Sequence, residues 1–430
     1  MNIYSYEKVF DCTDRTTKAM RSAIETWFSL YYGVAGEEED TCQRVAYAVV
    51  SKLCRSIFGE YSVRCDDPFL RQVAEALDSV KMSAMQLALV GGECYLKPVP
   101  GNTGFSFTVV PRDRILIFAR NAEGQPTDVG TVATSTDGKF YYTLLERRTV
   151  DEKGFLTIEN KLLRSSSADT MGQPVPLALC PEFKDLPEKY TYPEPVGSVG
   201  LVQLKTPMVN CVDGSDDGVS LYAAAVGLIR NIDRNEAQLC GEFERGQSRI
   251  LVSKDLLLAG QLQEHVFVGL DEDPERVGIS IFSPELRQQS YLDRKQEYLR
   301  SVETVIGLQR GTLCDINLSQ RTATEIAASQ QEHNLTAMDF QAVWERTLGQ
   351  TLALCALLGK LYRLGQPENV QVTVDWGNGM VRDEEQTWLN YMDMVKAGIL
   401  LPEVALGWRF NLPADTEEQR AEIRRKFMPV

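Results

Sequence analysis

Histidine is almost missing from this 430-residue sequence, which carries only His265 and His333. Neither stands beside a nucleophile-elbow serine or in a helical H-x-x-x-H pair, so triad hydrolysis and zinc-protease chemistry lack their donors. A G-x-x-x-x-G-K-[ST] loop is also missing, which excludes a nucleotide-driven motor of the P-loop kind. Gly377-Asn-Gly379 lacks the third glycine of a dinucleotide fingerprint and follows a strand only loosely. No apolar run reaches the length of about 18 residues that marks a membrane helix. The opening MNIYSYEKVFDCTDRTTKAM has no apolar core next to a small-residue cleavage site, so the chain reads as soluble and never exported.

Basic charge falls short as well. The 45 basic residues stand against 60 acidic ones, for a net charge of −15. That balance argues against a protein whose main task is to grip nucleic acid by its phosphates, but leaves room for one that lets nucleic acid pass. The ten cysteines are scattered without a C-x-x-C pair and read as reduced thiols. The N-x-[ST] triplets at Asn317 and Asn334 matter only for a secreted chain and read as chance matches.

What is present is a core-forming composition, 43% hydrophobic, with clear changes of period along the chain. Ala19, Ala23 and Trp27, with Phe28 and Tyr31 beside them, mark a helix ended by Gly33. Further helices are expected over about 41–58 and from Pro68 to Val90, where Gly91 and Gly92 stop the second. From Glu93 to about Arg164 alternating runs such as FSFTVV and KFYYTLLE mark a β-rich insert. The proline-rich stretch 165–217 has little periodicity and reads as extended connecting chain.

A helix is expected from about Asp217 to Gly246, with Leu221, Ala225, Leu228, Ile232, Leu239 and Phe243 along a half-apolar stripe that Asn235 and Glu236 interrupt. Short runs RILVS, HVFVGL and GISIF around the acidic turn Asp271-Glu-Asp-Pro-Glu275 suggest a small sheet. Ser283-Pro284-Glu285 reads as the opening of another helix, which ends at Gly307. After a polar loop, Thr322-Ala-Thr-Glu325 is a capping box for the longest helix. That helix would run to about Leu364 and span about 60 Å if Gly349 does not kink it. A strand at 370–375 and helices at about 383–396 and 416–426 complete the chain.

One cluster invites a metal. Asp213-Gly-Ser-Asp-Asp217 puts three carboxylates within five residues, but it stops short of the bidentate glutamate of a calcium loop. An Asx-type turn feeding the next helix explains it as well and is the preferred reading, so no metal or other cofactor is assigned.

Several segments together resemble phage portal proteins of the Gram-positive siphophage kind. Trp27 to Gly33 looks like the family's N-terminal W-x-x-x-Y-x-G. Gly218-Val-Ser-Leu-Tyr222, then Ile232-Asp233, Gly241-Glu242 and Arg249-Ile-Leu-Val252, resembles its central helix and following strand. Arg321-Thr-Ala-Thr-Glu-Ile326 looks like its K-T-A-T-E-[VI] signature, and Asp383-Glu-Glu385 with Val395-Lys-Ala-Gly-Ile399 resembles its C-terminal helices. The matches follow the family's order over most of the chain, while the β insert and the connector match only in character.

The resemblance implies an α+β portal subunit. Its wing would span 1–216, with the β-rich insert at 93–164. A stem helix would take 217–246, the clip 247–283, a second stem helix 284–307 and the tunnel loop 308–321. A long kinked wing helix and strand would follow at 322–378, and the crown at 379–430. It further implies a dodecameric ring at one capsid vertex, made in the host cytoplasm, through which double-stranded DNA is packaged and ejected. Partners would be the major capsid protein, the terminase and a head-tail adaptor, with no membrane. Gln309, Arg310, Asn317, Gln320 and Arg321 are the candidate DNA-facing groups, and Asp271, Glu272, Asp273 and Glu275 the candidate partner-binding groups of the clip. The bland alternatives are that Arg310 neutralises the end of the preceding helix, that Arg321 pairs with an acidic neighbour, and that the acidic turn is merely solvated. Rival readings are another virion ring or adaptor protein, disfavoured by length, and an enzyme built from carboxylates alone. No catalytic residue is assigned.

Overall fold

The computed structural model describes residues 3–33, 41–246, 249–253, 267–270, 280–282, 286–315, 323–367, 369–377, 384–410, 412–414 and 416–428. They fall into two compact units, one up to Asp375 and one from Trp376 onward.

Three helices open the larger unit after the short turn α1 (Glu7–Phe10). The helix α2 (Lys18–Tyr32) starts where the Thr17 hydroxyl accepts from Met20 N, and it stops at Gly33 with φ 59°. Its buried face is Met20, Ile24, Trp27 and Phe28, one position round from the alanines that spacing suggested, because the larger side chains take the core. The second helix, α3 (Val45–Ile57), begins four residues later than expected, after Arg44 at φ 54°. The third, α4 (Pro68–Gly91), has the pattern read from sequence: Asp67 accepts from Phe69 N and Leu70 N, proline takes the first turn, and Gly92 closes it at φ 82°.

The β-rich insert is confirmed as two antiparallel layers. The strand β2 (Glu93–Pro100) pairs with β3 (Phe105–Pro111), and both pack on α4. A six-stranded sheet follows, built from β4 (Ile115–Arg120), β5 (Pro126–Thr136), β6 (Tyr141–Val150), β7 (Leu156–Ser165), β8 (Gln173–Val175) and β9 (Lys189–Thr191), with both β8 and β9 on β7. The N-terminal residues Ile3, Tyr6 and Phe10 cover this sheet, meeting Leu116, Phe118, Val132, Leu145 and Leu163. Gly130 keeps that approach open, since a Cβ there would stand 2.9 Å from the Phe10 ring. The connector 165–217 is therefore not simply extended chain. It supplies β8, β9 and also β10 (Val202–Lys205), which joins the smaller sheet through β2. Its strands are too short for periodicity to reveal, and long-range pairing fixes them.

The expected helix from Asp217 starts only at Val226, as α5 (Val226–Arg245), after a 3-10 turn at Ala223–Ala225. The preceding residues are pinned instead beneath the end of α4. Leu221 N donates to Leu89 O at 2.8 Å, and Gly218 lies directly against Gly92, where a Cβ on either glycine would meet the other's backbone at 2.3 Å or less.

Beyond α5 come β11 (Arg249–Ser253), β12 (Phe267–Leu270) and β13 (Ser280–Phe282), in the sheet order β12-β11-β13. The next helix, α6 (Gln288–Ile306), ends at Gly307 with φ 74° as expected. The proposed N-cap Ser283-Pro284-Glu285 lies outside the described residues, as does Thr322 of the capping box. The longest helix, α7 (Ala323–Tyr362), runs without interruption through Gly349, and β14 (Thr373–Asp375) returns to pair with β1 (Ser62–Arg64). Trp344, Leu348, Leu352, Cys355 and Leu358 are buried along α7.

The smaller unit holds α8 (Glu384–Lys396), α9 (Pro402–Arg409) and α10 (Glu417–Phe427). Sequence reading missed α9, which is only eight residues long. Thr416 and Gln419 form a reciprocal capping box at the start of α10.

Candidate stem hairpin and channel loop

Two helices flanking a small sheet form the hairpin that the sequence suggested. The sheet is mixed, with β11 parallel to β12 and antiparallel to β13. Between α5 and α6 the apolar contribution is modest: Ile229, Ile232 and Leu239 on one helix, Leu299, Val302 and Ile306 on the other. Polar contacts supply the rest of the seam. Asn235, at 1% exposure, donates to Tyr291 O at 3.0 Å and accepts from Arg294 Nε at 2.6 Å. Arg294 also reaches Gln238, and Lys295 pairs with Glu236 at 2.9 Å and donates to Gln43 at 2.6 Å. At the far end Arg287 and Tyr291 both donate to Glu242, and the Arg287 contact holds the Glu242 carboxyl down to about 2. Asn235 therefore does not interrupt the buried face; it is part of it. Phe243, Leu286, Leu292 and Val305 are left exposed on the same hairpin.

The base of α5 is anchored by a buried charge cluster. Arg112 Nε stands 2.9 Å from Glu93 Oε1, and both side chains are fully buried. Arg120 reaches Asp217 at 2.7 Å, while Arg112 lies 3.7 Å from the same oxygen. Burial alone would lower both arginine pKa values, but Glu93 and Asp217 outweigh it and raise them. The cluster fixes Asp217, and hence Gly218-Val-Ser-Leu-Tyr222, against α4. Ser220 Oγ donates to Leu89 O at 3.1 Å, and Tyr222 OH donates to Trp27 O at 2.8 Å.

The three carboxylates of Asp213–Asp217 diverge. Asp213 accepts from Ser215 N at 3.0 Å, Asn210 Nδ2 at 2.9 Å and the Thr17 hydroxyl, in the Asx-turn manner. Asp217 is committed to Arg120, and the residue between them offers its carbonyl to Lys205 Nζ. Among the described residues no three metal-ligating side chains converge.

Of the channel-loop candidates, Gln309 and Arg310 are placed on the turn directly after Gly307, Gln309 half-buried and Arg310 exposed. Asn317, Gln320 and Arg321 lie outside the described residues, as do the clip candidates Asp271, Glu272, Asp273 and Glu275. Sequence reasoning missed Glu303, which is buried on α6 and accepts hydrogen bonds from the loop that follows. Its signal was there to read, since it shares a helical stripe with Leu299, Val302 and Ile306.

The family described as "Phage portal protein, SPP1 Gp6-like" matches residues 87–425. Among solved structures, the chain is similar to a "Neck of native GTA particle computed with C12 symmetry", at 12% identity and TM-score 0.49, over 90% of this chain and 94% of that one. It is similar at 11% identity, again with TM-score 0.49, to a "Neck of empty GTA particle computed with C6 symmetry", over 92% and 94%. No curated protein matches.

Proposed function

This chain belongs to the SPP1 Gp6-like phage portal protein family, and from that premise we propose that it closes into a dodecameric ring at one capsid vertex and forms the DNA channel there. The ring would serve packaging and later ejection, docking the terminase first and the head-tail adaptor afterwards, with the major capsid protein around it. It carries no catalytic step of its own in this reading. The observation that carries the ring is the α5–α6 hairpin. Its seam is largely polar and it leaves Phe243, Leu286, Leu292 and Val305 exposed, so further copies packed side by side would supply the missing burial. In this reading 1–216 and 322–378 make the wing, 217–246 and 284–307 the stem, 247–283 the clip and 379–430 the crown. Residues 308–321 narrow the channel.

DNA should meet that loop through few charges per subunit, since strong phosphate neutralisation would stall translocation. The net charge of −15 fits a wall that DNA slides past. Mass photometry and electron microscopy of the purified protein test the ring, and a population that stays monomeric or dimeric across salt and concentration refutes it. Replacing Arg310 and Arg321 with alanine is expected to leave rings intact and alter packaging rate or DNA retention. Charge reversal at Asp271, Glu272 and Asp273 is expected to abolish packaging while rings still form. If packaging survives that reversal, the motor binds elsewhere.

A further inference from the structure

The last turn of α6 carries a carboxylate that points at backbone. Glu303 has no exposed surface. Its Oε1 accepts from Leu313 N at 2.5 Å and from Cys314 N at 3.0 Å, and Gly311 N reaches both oxygens at 3.2 Å. The Cys314 thiol, itself buried, lies 3.2 Å from Oε2 with its S–H donating. Three amides converging on one anion make a nest, and charge-assisted bonds of this kind are stronger than neutral ones. Gly311 permits the curl because its φ is 89°.

The surroundings hold the same segment from other sides. Leu308 N donates to Glu303 O at 2.9 Å, and Asp315 N donates to Gln296 Oε1 at 2.9 Å. Lys52 of α3 donates to Thr312 O, and Thr336 of α7 donates to Gly307 O at 3.3 Å. Leu308 and Cys314 are the buried side chains of this stretch, so most of its anchoring is polar.

We propose that Glu303 is a positioning residue whose carboxylate latches segment 308–315 to the end of the stem and so sets where Gln309 and Arg310 stand. The inference rests on the reading of 308–321 as the loop that meets DNA. Releasing the carboxylate frees Gly311, Leu313 and Cys314 together, because one anion serves all three.

The test uses assembled rings of the full chain. Cys314 supplies the probe: a pulse of iodoacetamide read peptide by peptide, with exposed Cys211 and buried Cys94 as references. In the wild type Cys314 should label slowly, like Cys94, and the amides of Gly311, Leu313 and Cys314 should be protected from hydrogen exchange. Glu303→Gln puts an amide donor against these donors and should raise Cys314 labelling by about tenfold or more, the factor set by one lost charge-assisted bond, with Cys94 unchanged. Glu303→Asp keeps the charge but withdraws it by one methylene, and should release Cys314 as well. The latch is overturned if wild-type Cys314 labels as fast as Cys211, if its three amides exchange as in unstructured chain, or if Glu303→Gln leaves labelling unchanged. Should Glu303→Gln unfold the subunit, Cys94 will rise with Cys314, and the wild-type exchange pattern decides alone. A variant that frees Cys314 yet packages DNA normally keeps the latch and overturns the channel-loop reading.

Discussion

Replacing Glu93 with glutamine should cost more stability than almost any single surface change, and the reason lies in the charge count of its cluster. Two arginines, Arg112 and Arg120, face two carboxylates, Glu93 and Asp217. Glutamine preserves size and can still meet Gln203 and Tyr95, which now donate to the carboxylate. It nevertheless leaves Arg112, fully buried, with Asp217 at 3.7 Å as its nearest anion. At 2.9 Å the Glu93–Arg112 contact is an ion pair whose Nε hydrogen is not aimed at the oxygen. Its value is therefore mainly charge neutralisation. Breaking a buried pair from one side costs about 3–5 kcal/mol, most of it the stranded charge. Urea unfolding followed by tryptophan fluorescence, to which the buried Trp27 and Trp344 contribute, should show the midpoint falling by roughly 1 M for a protein of this size. Adding Arg112→Met to Glu93→Gln removes the stranded charge and should recover most of the loss. A single variant as stable as wild type, or a double variant worse than the single, refutes the reasoning.

Gly92→Ala should yield insoluble protein, because the new Cβ would lie 2.2 Å from the Gly218 carbonyl carbon, while Gly138→Ala, at similar φ with nothing within 4 Å, should cost only about 1 kcal/mol; comparing soluble yields and unfolding midpoints decides it. Asn235→Ala removes one neutral and one charge-assisted hydrogen bond across the hairpin, and should destabilise it by about 2 kcal/mol and raise hydrogen exchange in α5 and α6. Burial would raise the Glu146 pKa, but Arg148 and Lys97 outweigh it and hold the carboxyl at about 2 against 4.5 in a free chain. Stability from this group is therefore full above 4.5 and is lost as pH falls through 2, a total of about 3 kcal/mol, so urea midpoints between about pH 5 and about pH 3 should fall less steeply in Glu146→Gln.

Elements bounded by local chemistry were legible in the sequence. Asp67-Pro68 and Gly92 delimit α4, Gly33 ends α2 and Gly307 ends α6, each because the stop or start is written in residues next to it. What long-range contact decides was not legible. Asp217 to Tyr222 has helical spacing, yet Arg120, Leu89 and Gly92 hold it out of a helix, and all three lie far away in sequence. β10 has four residues and no turn signature, and it exists because β2 offers an edge. The same rule separates the candidate residues. Arg310 could be named from its loop and the burial of Glu303 from its helical stripe, whereas what Glu303 binds emerges only when the three amides are seen to converge.

The polar seam between α5 and α6 bears on how a subunit with few local partners keeps one register. Apolar side chains alone specify register less sharply than hydrogen bonds do, since similar volumes can repack in more than one way. Asn235 cannot slide: a shift of one helical turn would separate it from both Tyr291 O and Arg294 and leave buried polar atoms unmet. The Lys295–Glu236 and Arg287–Glu242 pairs repeat the constraint further along, though as partly exposed pairs they add little stability. A seam of this composition exchanges stability for register, and the exposed Phe243, Leu292 and Val305 then remain available to bury against neighbouring copies in the proposed ring. Hairpin strength would thus be low in the isolated subunit and high only once those side chains are covered. On this account hydrogen exchange in α5 and α6 should slow sharply when rings form, while exchange in α4, whose buried face packs on β2, β3, α3 and α7 of the same chain, should stay as it was.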